Sequence, residues 1–227
     1  MKNSYYSRNI GAITEEEFRT LQNSRVFVAG CGGLGGNLIT HFLRIGIGHI
    51  TAIDGDVFEP TNMNRQMICT ADTLGQPKAT AAQEYAARIN PAIDFTSIYA
   101  YLDKGNCDSI ISEHDVVIDA LDNIESRKIL ASACDRTGIP LIYGGICGWV
   151  SQASLFPPGT AARRMEQIYP NNTVIKDKSC LSFAPAFCAA VQSAEAVKVL
   201  LDKPSELNGN LLYVDLLNNE WELLPLF

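Results

Sequence analysis

The chain has 227 residues, of which 47% are hydrophobic and 19% charged, and its net charge is −7. That is the composition of a folded soluble protein long enough to bury a full core, which excludes a disordered chain. The acidic balance argues against a non-specific nucleic-acid or membrane-surface role, because both partners are polyanions.

The N-terminal stretch MKNSYYSRNIGAITEEEF has no apolar signal region, and residues 1–24 read as a helical lead-in. Val26–Ala29 is a compact apolar strand ending at Gly30, and Leu34–Ile45 has helical spacing of apolar residues. His49–Ile53 is a second strand. Lys78–Ile89 is an Ala-rich helix that stops before Asn90-Pro91. Asp94–Tyr99 alternates as a strand, Val116–Asp119 is a short apolar strand, Ile124–Thr137 is a helix and Leu141–Tyr143 the next strand. This β-α succession predicts an α/β fold: a Rossmann-like, mainly parallel sheet over residues 25–145 with helices on both faces.

The last third changes character. Val150–Phe156 is strand-like. Residues 157–179 read as a long mobile crossover loop with some local helix, and loops of that length tend to be functional. Residues 180–227 hold a helix from about Pro185 to Leu201 and a hairpin of Leu211–Leu216 with Trp221–Leu224, an antiparallel extension. The most apolar long stretch, Cys180 to Leu201, is interrupted by Gln192, Glu195 and Lys198, so no membrane span is expected and the protein is placed in the cytoplasm. Seven cysteines, at 31, 69, 107, 134, 147, 180 and 188, form no CxxC pair and do not cluster with the three histidines. Disulfide scaffolds and zinc fingers are poor readings of that pattern.

Gly30-Cys31-Gly32-Gly33-Leu34-Gly35 follows a strand and opens a helix. Glycines at 30, 32, 33 and 35 permit a tight turn and close backbone approach to a phosphate, and the helix N-terminus offers free N–H groups to an anion. Asp54 ends the next strand, where a carboxylate can accept from ribose hydroxyls. Alone, this fingerprint favours a dinucleotide. Three further segments shift it towards ATP: Gly55 to Gln66 with Arg65, Leu74-Gly75-Gln76-Pro77-Lys78, and Asp119-Ala120-Leu121-Asp122-Asn123. Ligands of open α/β sheets sit beyond the C-terminal ends of the strands, so Gly30, Asp54 and Asp122 should face one crevice within reach of Arg65 and Lys78. Two cations and a carboxylate around a glycine loop suit a triphosphate with Mg²⁺. Taken singly, Asp122 beside Asn123 could cap the following helix, Arg65 and Lys78 could be surface charges, and Asp56 and Glu59 could merely solvate the loop.

GCGGLGG, DGDVFEPTNMNRQ, LGQPK and DALDN, in this order, resemble the ThiF/MoeB/HesA family, related to the adenylation domain of ubiquitin-activating enzymes. Tyr5-Tyr6-Ser7-Arg8-Asn9-Ile10 is similar to that family's entry segment. The resemblance implies a single ATP-binding adenylation domain that activates the C-terminal carboxylate of a ubiquitin-like sulfur carrier ending in Gly-Gly. It assigns Asp54 to the ribose, Asn62, Arg65, Gln66 and Lys78 to the phosphates, and Asp122 to Mg²⁺. Asp56, Leu121 and Asn123 fall in the same motifs and are counted with the nucleotide site. Arg8 would reach ATP from the other subunit of a homodimer. Many members bind zinc through two CxxC pairs. Here Gln152 to Phe156 stands where the first pair would be and the second is absent, so no zinc is expected.

Cys180, after the mobile segment, is a candidate nucleophile whose pKa Lys176 and Lys178 would lower; a buried hydrophobe is the plainer role. Cys31, Cys188, Trp149 and Trp221 are expected to pack in the interior. A short peptide or a tRNA base is an alternative substrate. A NAD-dependent oxidoreductase would need a catalytic His or Tyr-Lys set, which the second half does not offer.

Overall fold

Eight strands form one sheet in the computed structural model: β1 (Arg25–Ala29), β2 (His49–Ile53), β3 (Asp94–Ile98), β4 (Val116–Asp119), β5 (Leu141–Cys147), β6 (Val150–Phe156), β7 (Asn210–Asp215) and β8 (Glu220–Pro225). The structure describes residues 5–175, 177 and 179–227. The spatial order is β3-β2-β1-β4-β5-β6-β7-β8. β3 to β5 pair in parallel, with Val26 opposite both Ile50 and Val116. β5 to β8 pair antiparallel.

Helices cover both faces. One core lies beneath α1 (Glu15–Asn23), α2 (Gly33–Ile45), α3 (Lys78–Ile89) and α7 (Phe183–Leu200), around Leu38, Phe42, Ile50 and Ile118. The other lies beneath α4 (Cys107–Ile111), α5 (Ile124–Thr137) and α6 (Ala161–Ile168), around Phe27, Val117, Leu130 and Tyr143. Local signals set the ends. Thr14 and Glu17 exchange hydrogen bonds in a capping box that starts α1. Gly46 and Gly138 end α2 and α5 in the left-handed conformation. The first glycine turn requires glycine: Gly30 has φ +105°, and a Cβ on Gly35 would lie 1.8 Å from the Gly30 carbonyl oxygen.

Several expectations need correction. The 157–179 connection is not loop throughout: α6 buries Ala161, Arg164 and Met165, and Asp135 accepts from the backbone N–H groups of Ala161 and Ala162 at its start. β5 runs four residues past Tyr143 because its far half pairs with β6 as far as Cys147. Trp149 and Trp221 are on the surface, 41% and 57% exposed, packed on Phe183 and Phe187. They lie on the antiparallel extension, where β8 is exposed along its whole length. The hairpin packs inward chiefly through Leu211 and Val214 of β7. Cys31 and Cys188 are buried as expected.

The reading of β4 as apolar misses Asp119, which is wholly buried. Its carboxylate accepts from Arg127 Nη1 at 2.8 Å and from the Leu121 backbone N–H. Arg127 also donates to the carbonyls of Gly144 and Leu121. The polar residues that interrupt the last apolar stretch are likewise used. Gln192 is fully buried and its Nε2 donates to the carbonyls of Asp119 and Ile142, while Glu195 pairs with Lys198 and Ser205. α7 is long and apolar enough to cross a membrane by length and composition, but here it packs against α2 and strands β4 to β6.

Removing one partner of a buried ion pair strands the other charge, at a cost of about 3–5 kcal/mol. Arg127→Ala is therefore expected to lower the urea midpoint by a corresponding amount, measured by circular dichroism. Joint replacement with Arg127→Met and Asp119→Leu should recover most of the loss.

Candidate active site

The C-terminal ends of β1, β2 and β4 open into one cleft. Gly30, Gly32 and Gly33 line one wall, Asp54, Asp56 and Lys78 another, and Leu121, Asp122 and Asn123 a third. Arg65 and Gln66 close it from the segment between β2 and α3, and Cys180 lies at its rim. Residues spread over more than a hundred positions are thus brought together as the switch-point rule predicts. Three expected residues are elsewhere. Gly35 is a packing contact beneath the turn. Asn62 is nine-tenths buried and accepts from the Glu59 backbone N–H, so it shapes the 59–66 segment from outside the cleft. Arg8 is exposed on the N-terminal segment, away from the cleft of its own chain.

The first turn of α2 points into the cleft. Gly32, at the N-cap position, has no side chain to cap it, so the helix presents uncapped N–H groups. The Gln66 side chain lies beside Gly32, where a Cβ would come within 3.5 Å of its amide, and its side-chain oxygen is buried without a partner among the described residues. A ligand polar group would complete it. Asp54 is committed on one side: its two oxygens accept from the N–H groups of Cys31 and Asp56, both at 2.8 Å, which locks the glycine turn to the end of β2. Burial pushes its carboxyl above the usual range, against those two bonds.

The ambiguity over capping α5 is resolved by geometry. Asn123, not Asp122, accepts from the Ser126 backbone N–H, so Asn123 caps the helix. Asp122 is left exposed on the cleft wall. Among the described residues no group of three or more His, Cys, Asp or Glu is placed to hold a metal. A lone carboxylate facing a polyphosphate site suits Mg²⁺, which takes one or two protein carboxylates and completes its shell with phosphate and water. Arg65 donates to Asn64 Oδ1 and the Thr61 carbonyl, so its side chain is held at the cleft entrance.

Cys180 lines the cleft, but its thiol is pushed up rather than down. Burial raises its pKa, with Arg65 opposing. Lys176 and Lys178, expected to lower it, lie outside the described residues.

Among the cleft residues that were missed are Arg127 and Tyr101. Arg127 gives no local signal, because its partner lies on another element. Tyr101 follows the end of β3 by three residues, so the switch-point rule could have found it.

The model of the ThiF family matches residues 6–226. The chain is 34% identical over 226 residues to the SAMP-activating enzyme E1 of Haloferax volcanii, covering 97% of this chain and 84% of that one. It is 29% identical over 214 residues to the molybdopterin-synthase adenylyltransferase of Escherichia coli, covering 91% and 84%. It is also 29% identical to the sulfur carrier protein adenylyltransferase of Thermus thermophilus, covering 90% and 79%. Among solved structures, E. coli MccB with MccA-N7isoASN superposes with a TM-score of 0.86 at 21% identity, covering all of this chain and 72% of that one. This likeness shows the fold.

The division between Asn123 and Asp122 is testable by thermal unfolding. Loss of an N-cap typically costs about 1 kcal/mol. Asn123→Ala is expected to destabilise by about that much, whereas Asp122→Ala should stay within about 0.5 kcal/mol of the wild type, as exposed substitutions do.

Proposed function

Because the chain belongs to the ThiF family, we propose that it is an adenylyltransferase that activates the C-terminal carboxylate of a ubiquitin-like sulfur carrier ending in Gly-Gly. It would use Mg-ATP and release pyrophosphate. The observation that carries this reading is the meeting of the glycine turn, Arg65, Gln66, Lys78 and an uncommitted Asp122 in one cleft. The names of the three relatives support the substrate class.

The carrier's carboxylate is already ionised at neutral pH, so it needs no strong general base. It would attack the α-phosphorus in line, forming a carboxyl–phosphate bond as the bond to pyrophosphate breaks. The chain's work is then positioning and charge compensation. The N–H groups of the α2 first turn would hold the phosphate chain. Arg65 and Lys78 would offset its charge. Gln66 would complete its buried amide on the nucleotide, and Asp54 would present its remaining acceptor capacity to the ribose. Asp122 would hold Mg²⁺, which when bound neutralises phosphate charge and favours departure of pyrophosphate. The product is an acyl-adenylate, open to a sulfur nucleophile. Cys180 remains a candidate for that thiol because it lines the cleft. Its raised pKa predicts reactivity that increases with pH.

A homodimer completes the site in this reading. Arg8 is exposed and away from its own cleft, in keeping with reach into a partner's. All seven cysteines are unpaired, in keeping with a reducing, cytoplasmic setting.

ATP–pyrophosphate exchange tests the proposal. Exchange should require both Mg²⁺ and a carrier ending in Gly-Gly. Asp122→Ala should lower it by at least about a hundredfold, of the order expected when a group stabilising transferring phosphoryl charge is lost. Exchange that is independent of any carrier, or unaffected by Asp122→Ala, would refute it.

A further inference from the structure

Lys78 is the first residue of α3 and is almost fully buried, at 7% exposure. Asp56 holds it at both ends. The Lys78 backbone N–H donates to the Asp56 carbonyl at 2.9 Å, and Nζ donates to Asp56 Oδ2 at 3.1 Å. The ammonium that should meet a phosphate is therefore paired to a carboxylate. A bound polyphosphate must take Lys78 from Asp56, and that exchange leaves a half-buried carboxylate short of a partner.

The structure supplies one. The Tyr101 hydroxyl donates to Asp56 Oδ1 at 2.7 Å. Its ring lies against Gly55, where a Cβ would come within 2.6 Å of the ring atoms. The Asp56 backbone N–H donates to Asp54 Oδ1, which anchors the Asp56 main chain at the end of β2. Asp54, Gly55, Asp56, Lys78 and Tyr101 all line the same cleft.

We infer that Tyr101 is a positioning residue for Lys78, acting through Asp56. By keeping one carboxylate oxygen bonded, it prevents Asp56 from turning both oxygens onto the lysine. It also leaves Asp56 with a partner when Lys78 moves to a phosphate. This inference rests on the nucleotide reading of the cleft. Supporting it, Asp56 lies below the ordinary carboxyl range: burial raises its pKa, but the bonds from Tyr101 and Lys78 outweigh that effect. The Tyr101 phenol is correspondingly pushed up to about 12 by its bond to Asp56 and by the Asp56 charge.

Two readouts test this. The first needs no nucleotide: tyrosinate absorbance is followed against pH, and Tyr101 is identified as the difference between wild type and Tyr101→Phe. The difference should titrate near 12 and fall towards 10 in an Asp56→Asn background. A difference titrating near 10 in the wild type would overturn the inference.

The second is calorimetric affinity for Mg-ATP and for adenosine, which has no phosphate for Lys78 to meet. Tyr101→Phe is expected to weaken Mg-ATP by at least about tenfold, the lower bound for loss of one charge-assisted hydrogen bond. It should leave adenosine unchanged, and its effect should vanish in the Asp56→Asn background. Equal weakening of both ligands would make Tyr101 an ordinary nucleoside contact and overturn the inference, as would an effect that persists without the Asp56 charge. Unchanged Mg-ATP affinity in Tyr101→Phe overturns the inference alone. A wild type that binds no Mg-ATP overturns the nucleotide reading and the inference with it.

Discussion

The buried pair of Asp119 and Arg127 is the constraint on which the cleft depends. β4 is the sheet's central crossover strand, and its last residue carries a charge into the interior. That charge is tolerable only because Arg127 meets it at 2.8 Å, while its Nη1 and Nη2 also donate to the carbonyls of Gly144 and Leu121. Gln192 of α7 reaches the Asp119 carbonyl from the opposite face. Four elements are thereby tied at one point: β4, β5, α5 and α7. The chain leaving that point is Ala120-Leu121-Asp122-Asn123. Its direction is set by the Ala120 N–H on the Ala29 carbonyl and the Leu121 N–H on Asp119. Asp122 shares the cleft lining with the glycine turn, between Leu121, bonded to Asp119, and Asn123, which caps α5.

The carboxylates around the cleft divide the work by environment. Asp119 is wholly structural. Asp54 is partly so, spending an oxygen on each of two backbone N–H groups and thereby joining the glycine turn to β2. Asp56 manages Lys78. Asp122, with Asn123 taking the capping role, is left exposed on the cleft wall. Charges of the same sign within one cleft keep distinct roles because each has a different set of hydrogen-bond donors.

Much of this was legible in the sequence. The parallel half follows from short apolar strands alternating with amphipathic helices, and the glycine turn, Asp54 and Asp122 were placed by their positions at strand ends, with Arg65 and Lys78 in reach from the segments between. What was not legible depends on which groups the folded chain brings together and which faces it leaves uncovered. Asp119 looks like the end of an apolar strand until Arg127 is seen beside it. Asn62 sits within a motif yet turns inward to bond Glu59. Trp149 and Trp221 have the composition of core residues, but the antiparallel extension leaves its outer face uncovered, so they remain on the surface. The helix α6 was hidden among Pro, Gly and alternating charges, and it is fixed by Asp135 from α5.

In the proposed reaction the cleft directs a carboxylate to the α-phosphorus of ATP rather than to the γ-phosphorus. The most direct measurement is intact mass spectrometry of a Gly-Gly-ending carrier after incubation with the enzyme, Mg-ATP and inorganic pyrophosphatase. The expected product is a carrier heavier by one AMP, lost on mild base treatment. A carrier heavier by one phosphate, or an unmodified carrier while ATP is converted to ADP, would contradict it.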